Sequence, residues 1–111
     1  MADLNTRFTI DDVRSLAFGS IVAGYTAIGG PLDYPAVQIV FQNLTDVLLS
    51  FSTDGINEKL KLPPNGYWNP DITSNQQANR GMRMPFGTTF YVRRIGIPTS
   101  GTADIIVCYA K

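Results

Sequence analysis

The chain has 111 residues, of which nine are basic and nine acidic, so its formal net charge is zero and it offers no overall field to attract a nucleic-acid backbone. This length predicts one domain, and we expect no direct nucleic-acid partner. Charged residues make up only 16% of the chain, against about 25% in an average domain, which predicts a surface partly covered by other proteins or by copies of itself.

The first residues predict an arm that lies outside the core. Residues 1–12 are polar and lack a clear period, so they bury too little apolar surface to offset the entropy of ordering them. We therefore divide the chain into a flexible N-terminal arm, 1–12, and a single β domain, 13–111. Two alternatives remain where the domain begins: a helix over 13–16 capped by the preceding polar residues, and a strand over 14–18.

A further strand is predicted over 20–28, because its residues alternate between two faces of an extended chain. Gly24 within this strand predicts a bulge or a closely packed neighbour. Residues 29–31, Gly-Gly-Pro, end the strand. Residues 32–35 then form a connection, since proline cannot donate a hydrogen bond within a sheet.

The stretch 36–62 contains three short apolar runs separated by two polar breaks. Each run has a period of two, which is typical of half-buried strands, and the breaks at 43–46 and 54–55 favour turns. We predict an antiparallel meander, in which three consecutive strands pair in order. Residues 43–45 also match the glycosylation sequon, and we interpret them as part of the first turn rather than as a glycan site. The residues predicted to face the core are Val37, Ile39, Phe41, Leu60 and Leu62.

After a Pro-rich turn, residues 67–72 predict a short irregular strand. Tyr67 and Trp68 are neighbours on it, so their side chains point to opposite faces, and one can belong to the core while the other does not. Residues 73–83 form the longest polar interval of the chain and predict a surface loop. Loops of this kind on a rigid β scaffold commonly carry contacts with partners.

The last third of the chain predicts a hairpin. Residues 88–95 and 103–109 both alternate with a period of two, and the intervening Pro98–Gly101 segment favours a turn. The second of these strands ties the end of the sequence into a sheet. With seven or eight predicted strands and no clear helix, we predict an all-β fold, a jelly-roll-like antiparallel sandwich.

The residues needed for most catalytic chemistry are missing. Without histidine, neither the usual serine or cysteine triad nor the commonest zinc ligand is available, and Glu58 is the single glutamate. Asp54, Asn57 and Glu58 cluster without the alternating spacing of a calcium loop, so a plain turn is favoured. Cys108 lies in an apolar run, which predicts a buried, reduced thiol. We expect a protein that is not an enzyme and needs no cofactor or metal.

The sequence contains no pattern of a secretion signal and no apolar run approaching the ~18 residues of a membrane span. We therefore expect a soluble protein, made in a reducing cytosol, with no membrane partner.

The charges are unevenly distributed along the chain. A scattered solvated surface is one interpretation, and the other is that an acidic face of one subunit meets a basic face of another. On the second interpretation, Asp11 and Asp12 are candidate contact residues. The acidic residues of the first half are Asp3, Asp11, Asp12, Asp33 and Asp46. The basic residues near the end are Arg80, Arg83, Arg93, Arg94 and Lys111.

Two further groups are candidate interface residues. Tyr67 and Trp68 are large aromatics that suit a core or an interface, and the alternative is a platform on which a sugar stacks. The other group is rich in arginine and methionine, a composition enriched at protein interfaces: Arg80, Met82, Arg83 and Met84. Its alternative is a loop with two methionines packed beneath it.

Three segments carry a resemblance to a known family: FQNLTDVLLSFSTDG at 41–55, LPPNGYWNPDITSN at 62–75 and GTTFYVRRIGIPTSGTADIIVCYA at 87–110. These turn patterns resemble short virion proteins of tailed bacteriophages. Over residues 18–110 the chain is most similar to the staple, or cement, proteins that decorate the capsids of short-tailed phages. The resemblance implies a jelly-roll-like domain that sits on the outside of the head as a dimer and clamps neighbouring major capsid protein subunits.

From this resemblance we expect a structural virion protein, made in the cytoplasm of a host bacterium and located on the capsid exterior. Its expected partners are the major capsid protein and a second copy of itself. Two alternatives stay open. One is a neck or tail component of the virion, and the other is a carbohydrate-binding module for host attachment, suggested by Tyr67 and Trp68.

Overall fold

The computed structural model of the chain describes residues 8–69, 84–85 and 87–110. Within these ranges the chain forms nine strands and a 3-10 helix at Phe18–Ser20, so the prediction of an all-β fold is confirmed. The strand predicted over 14–18 is confirmed as β2, and the alternative helix is wrong. The strands are β1 (Phe8–Ile10), β2 (Arg14–Ala17), β3 (Thr26–Ile28), β4 (Ala36–Asn43), β5 (Leu49–Ser52), β6 (Leu60–Leu62), β7 (Tyr67–Trp68), β8 (Phe90–Arg94) and β9 (Thr102–Ala110).

The strands form two antiparallel sheets that pack as a sandwich. Sheet A has the order β1-β9-β4-β7, with β2 also paired to β9, and sheet B has the order β3-β8-β5-β6. β1 and β2 follow one another along the same edge of β9, since residues 8–10 pair with 108–110 and residues 14–17 pair with 102–105. They therefore act as one edge strand, interrupted at residues 11–13.

The core lies between the sheets and follows the period of two. On β4, Ile39 and Phe41 are buried while Gln38 and Gln42 are partly exposed, and on β8 Phe90 and Val92 are fully buried. A bulge between Ala36 and Gln38 shifts the register of β4 and brings Ala36 into the core. The alternation predicted for these strands is confirmed. The other buried apolar residues of sheet strands include Ile28, Leu49, Phe51, Leu62, Ala103, Ile105, Val107 and Tyr109.

The predicted meander over 36–62 is wrong in its first pairing. β4 lies in sheet A between β9 and β7, whereas β5 lies in sheet B between β8 and β6. All four residues of β5 are buried, which is typical of a central strand. The period of two specifies which face of a strand is buried but not which strand lies beside it. The pairing of β5 with β6 is confirmed, with Leu49 opposite Leu62.

Asn43 holds the crossing from β4 to β5. Its side chain is fully buried, and Nδ2 lies within hydrogen-bond distance of the carbonyl oxygens of Val47, Leu62 and Pro63, at 2.7, 2.9 and 3.1 Å. Its Oδ1 accepts from the backbone N–H and the hydroxyl of Thr45. The interpretation of residues 43–45 as a turn rather than a glycan site is confirmed, because a fully buried amide cannot carry a sugar.

The predicted hairpin of the last third is also wrong. β8 pairs with β3 and β5 in sheet B, while β9 pairs with β4 and with the β1–β2 edge in sheet A. Residues 95–101 therefore cross from one sheet to the other and do not close a hairpin. The prediction that the end of the sequence is tied into a sheet is confirmed, because β9 is a central strand.

The strand predicted over 20–28 is shorter than expected and comprises Thr26–Ile28 only. The bulge or close neighbour predicted at Gly24 is wrong, since a Cβ there would meet no atom within 4 Å. The predicted stop is confirmed at Gly29, which has a positive φ of 74° and lies against the side chain of Arg14. Glycine is favoured there by both its backbone conformation and the lack of space.

Of the predicted N-terminal arm, 1–12, the structure describes residues 8–12. Residues 8–10 pair with the end of β9, and the backbone N–H of Asp11 donates to the carbonyl oxygen of Val107. The described part of the arm is therefore an edge of sheet A. Ile10 is nevertheless 66% exposed, so its side chain adds little to the core.

Candidate protein-binding surface

An aromatic cluster extends from the core to the surface beside β7. Phe41 is buried and contacts Phe51 and Phe90 edge to face, with ring centroids 5.7 and 5.6 Å apart. Its third neighbour is Trp68, directly across the strand pair, at 5.9 Å between centroids. Trp68 is 47% exposed, so its ring is open to solvent in part while it contacts the buried ring of Phe41.

Trp68 forms one wall of an apolar groove of about 310 Å³, which we call the Trp68 groove. The groove opens where the edge strands of the two sheets, β7 and β6, are not joined to each other. Hydrophobic side chains dominate the described part of its lining, in which only Lys59 is charged. Its lining residues are Phe41, Phe51, Ser52, Thr53, Lys59, Leu60, Trp68 and Met84. A concave apolar site with an exposed aromatic wall is the kind of pocket that receives an anchor side chain of a protein partner.

Tyr67 lies on the other face of β7. It pairs with Gln42, whose side chain is on the outer face of sheet A, whereas Trp68 pairs with the core residue Phe41. The prediction that the two aromatics point to opposite faces is confirmed. Neither is fully buried, however, and Tyr67 is 70% exposed.

Asp11 and Asp12 lie at the opposite edge of sheet A, where the β1–β2 edge is interrupted. Asp11 bonds Nη1 of Arg14, which is only 8% exposed, at 3.0 Å, and it accepts from the hydroxyl of Tyr109 at 3.0 Å. Nε of Arg14 donates to the carbonyl oxygen of Gly30. These bonds give Asp11 a structural role in fixing the edge strand, while Asp12 stays exposed at the rim of a shallow polar cleft.

The pKa of Asp11 reflects this environment. Burial raises it, but hydrogen bonds from the Asp12 backbone and from the Arg14 and Tyr109 side chains outweigh burial and lower the pKa below its ordinary value of 3.8. The carboxyl group is therefore ionised at neutral pH and is held by its neighbours.

The predicted candidates fall into three groups. Trp68 and Met84 are brought together at the Trp68 groove, where Met84 forms a β-bridge with Ala36. Asp11 and Asp12 lie three strands away across sheet A, which corresponds to about 14 Å. Arg80, Met82 and Arg83, and with them the polar loop predicted over 73–83, lie outside the described residues.

The hairpin between β5 and β6 is organised by Asp54. Its carboxylate accepts from the backbone N–H groups of Ile56 and Asn57 and from the hydroxyl of Ser52, and these bonds lower its pKa. The arrangement is that of a plain turn, as predicted. Glu58 points away to Arg93 and Lys61 on the outer face of sheet B, and the exposed apex is Ile56.

The sequence analysis missed a second apolar surface. Four connections lie at one end of the sandwich, and we call them together the loop end: residues 18–25, 44–48, 63–66 and 95–101. Its exposed large apolar side chains are Phe18, Val22, Leu44, Ile95 and Ile97. The signal was present in the sequence, because loops are usually polar, whereas these contain several aliphatic residues and a single charge, Asp46.

The described residues contain no group of three or more potential metal ligands of the His, Cys, Asp and Glu types. Cys108 is buried and unpaired, as predicted, and burial raises the pKa of its thiol. In the described part of the chain, no helix has the length and apolar character needed to cross a membrane.

Comparisons of the chain with protein-family models, with curated proteins and with solved structures found no match.

Proposed function

We propose that the chain is a structural virion protein that binds the outside of a bacteriophage capsid and clamps neighbouring major capsid protein subunits, stabilising the expanded head. The observation that carries this proposal is the Trp68 groove, an apolar pocket with a half-exposed aromatic wall on a sandwich poor in charge. Such a pocket suits adhesion between proteins. A protein that binds only the assembled lattice stabilises it by mass action, and the binding free energies of many copies add together.

We also propose that the sandwich is a jelly roll, and we propose its binding partners. With β1 and β2 counted as one edge strand, eight strands are divided between the two sheets, four in each, in an order that supports a jelly roll built from two Greek keys. The proposed partners are the major capsid protein and a second copy of the chain, on the capsid exterior. The balanced charge supports the absence of nucleic acid from this set.

The copy number of the protein in purified virions tests the proposal. A lattice clamp requires a copy number comparable to that of the major capsid protein, which quantitative gel densitometry or mass spectrometry measures. A few copies arranged in a ring would replace the proposal with the alternative of a neck or tail component.

Substitution of Trp68 tests the groove itself. We expect Trp68→Ala to weaken binding to heads depleted of the protein by about tenfold or more, because an aromatic anchor is lost at the groove wall. Co-sedimentation of the purified chain with such heads gives the affinity. Tyr67→Ala is the matched control, since Tyr67 is more exposed but lies on the outer face. Equal binding of both variants and the wild type would exclude the groove from the contact.

A carbohydrate-binding module is the second candidate, and the exposure of Trp68 and Tyr67 is the observation that favours it. Aromatic side chains stack on sugar rings, but a sugar site also needs free polar groups beside the ring. At the groove, the Ser52 hydroxyl is already bonded to Asp54 and to the Gly55 N–H. Glycan-array binding that is lost in Trp68→Ala would support this candidate, and normal host adsorption by virions lacking the protein would remove it.

A further inference from the structure

The sandwich has two long sides, along which edge strands of its two sheets lie next to each other. On one side β2 meets β3, because the side chain of Arg14 lies against Gly29 and donates to the carbonyl oxygen of Gly30, just after β3. On the other side β7 meets β6, since Trp68 and Leu60 both line the Trp68 groove. The two sides carry charges of opposite sign.

The side formed by β2 and β3 is acidic, and we call it the acidic side. Its described charged residues are four carboxylates and one guanidinium, a net charge of −3: Asp11, Asp12, Asp33, Asp104 and Arg14. Arg14 and Asp11 neutralise each other. Asp12 and Asp33 are exposed, and neither has an ion-pair partner among the described residues. Asp104 accepts from the neutral hydroxyl of Ser15, on β2.

The side around β6 is basic, and we call it the basic side. Its described charged residues are three cations and one carboxylate, a net charge of +2: Lys59, Lys61, Arg93 and Glu58. The carboxylate of Glu58 lies 3.6 Å from Nζ of Lys61 and 3.5 Å from Nη2 of Arg93, so two cations share it. Asp54, in the adjoining turn, lowers the net charge to +1, but hydrogen bonds of that turn already engage its carboxylate.

The acidic and basic sides are complementary in charge and lie at opposite sides of one molecule. They cannot face each other within a copy, but the acidic side of one copy can face the basic side of the next. A contact of this kind is heterologous, because it joins different surfaces of the two copies. Since the chain itself supplies both signs of charge, a second copy fits each side.

We infer that copies of the chain associate side by side, with the acidic side of one copy against the basic side of the next, and that ion pairs hold this contact. The inference rests on the proposed function for its partner, a second copy, and deepens it by naming the contact and its chemistry. Lys61 and Arg93 lie on the outer face of sheet B, whereas the Trp68 groove opens between the sheets. A contact through these two cations leaves the groove to the capsid.

The strength of the contact depends on how close the copies are held. Exposed ion pairs are individually weak, so free molecules associate only at high concentration. Copies bound to neighbouring capsid subunits are held close together, which raises their effective concentration. Side-by-side contacts would then link neighbouring copies across the outside of the head.

Charge reversal on each side tests the inference by sedimentation velocity of the free chain. The acidic-side variant is Asp12→Lys with Asp33→Lys, and the basic-side variant is Lys61→Glu. We expect the wild type to associate in low salt and to sediment as a monomer in about 1 M NaCl, where exposed ion pairs are screened. Each variant alone should associate about tenfold or more weakly than the wild type. Lys59 stays unchanged because it lines the Trp68 groove.

An equal mixture of the two variants tests the arrangement of the copies. The acidic-side variant keeps a normal basic side, and the basic-side variant keeps a normal acidic side, so the mixture retains one intact contact. We expect the mixture to associate although each variant alone does not. Ser100→Lys is the control, because it adds a charge at an exposed position of the loop end. The melting temperature of each variant establishes that it is folded.

The outcomes separate this inference from the proposed function. A wild type that stays monomeric up to about 1 mM in low salt overturns the inference. Association that persists in about 1 M NaCl, or in both folded variants, overturns it as well, because the contact is then not ionic. A mixture that fails to associate overturns the side-by-side arrangement. None of these measurements uses heads, so a wild type that self-associates but does not bind depleted heads removes the capsid proposal and leaves the contact between copies.

Discussion

Among single residues, Asn43 is a fully buried amide that bonds to several segments of the chain. One amide group connects the end of β4, the loop that follows it and the end of β6, and so joins the two sheets at the loop end. Since the side chain is fully buried, removing it leaves several backbone groups without partners and out of reach of water.

We predict that Asn43→Ala lowers the free energy of unfolding by about 3 kcal/mol, because a buried polar group that loses its partner costs about 1–3 kcal/mol. Urea denaturation followed by tryptophan fluorescence measures the change. Asn57→Ala is the control, since Asn57 is exposed in the β5–β6 hairpin. A loss below about 1 kcal/mol in Asn43→Ala would show that water reaches these groups.

The ion pair of Asp11 predicts a pH dependence of stability. The folded chain lowers the pKa of Asp11 below its ordinary value of 3.8, so the ionised group stabilises the fold at higher pH, and this contribution is lost as the pH falls through the lowered pKa. We predict that Asp11→Asn is less stable than the wild type by about 1–2 kcal/mol at neutral pH. The difference in melting temperature between Asp11→Asn and the wild type should disappear in acid.

Thermal melts of both proteins across the acidic range measure this convergence. Asp12→Asn is the control, because it removes the same charge from an exposed neighbour. A constant difference between Asp11→Asn and the wild type at every pH would contradict the assignment of the pH dependence to this carboxyl group.

Among the connections, the one from β8 to β9 depends on Gly101. This residue has a positive φ of 94°, and a Cβ placed on it would collide with the carbonyl group of Leu44. The backbone of the β8–β9 connection therefore packs directly on the backbone of the β4–β5 connection, which only a residue without a side chain permits.

We predict that Gly101→Ala destabilises the protein by about 2–3 kcal/mol, combining backbone strain with the collision. Gly24→Ala is the matched control in another connection of the loop end, because a Cβ at Gly24 meets nothing within 4 Å. Differential scanning calorimetry compares the two. Similar melting temperatures for both variants would mean that the two connections separate easily.

The connections are also where prediction from the sequence failed. Apolar runs located β4, β5, β6, β8 and β9, and alternation identified the buried faces of β4, β8 and β9, because the burial of each residue depends on which side of its own strand it lies. All four residues of β5 are buried, so alternation does not apply to that strand. Pairing depends on residues far apart in the sequence, and the connections at 44–48 and 95–101 cross between the sheets although each was predicted to join neighbours in one sheet. A polar break indicates that a strand ends, but not the direction in which the chain leaves.

At the scale of the whole molecule, the all-β class followed from composition and periodicity, and the surface was harder to predict. Trp68 and Met84 were proposed as candidates for separate reasons, and the fold brings both to one groove. The loop end escaped notice because its apolar residues come from connections that are distant in sequence. Three of the four connections contribute one or two exposed apolar side chains each, and residues 63–66 contribute none, so the signal is spread over segments that only the fold brings together.

The position of β9 has a consequence for biosynthesis. It is the last of the nine described strands to leave the ribosome, yet it occupies the centre of sheet A, between β4 and the β1–β2 edge. Until it emerges, the strands on either side of it have no hydrogen-bonding partner in the middle of their sheet. The nascent polypeptide therefore completes its folding only after nearly all of the described residues have been translated.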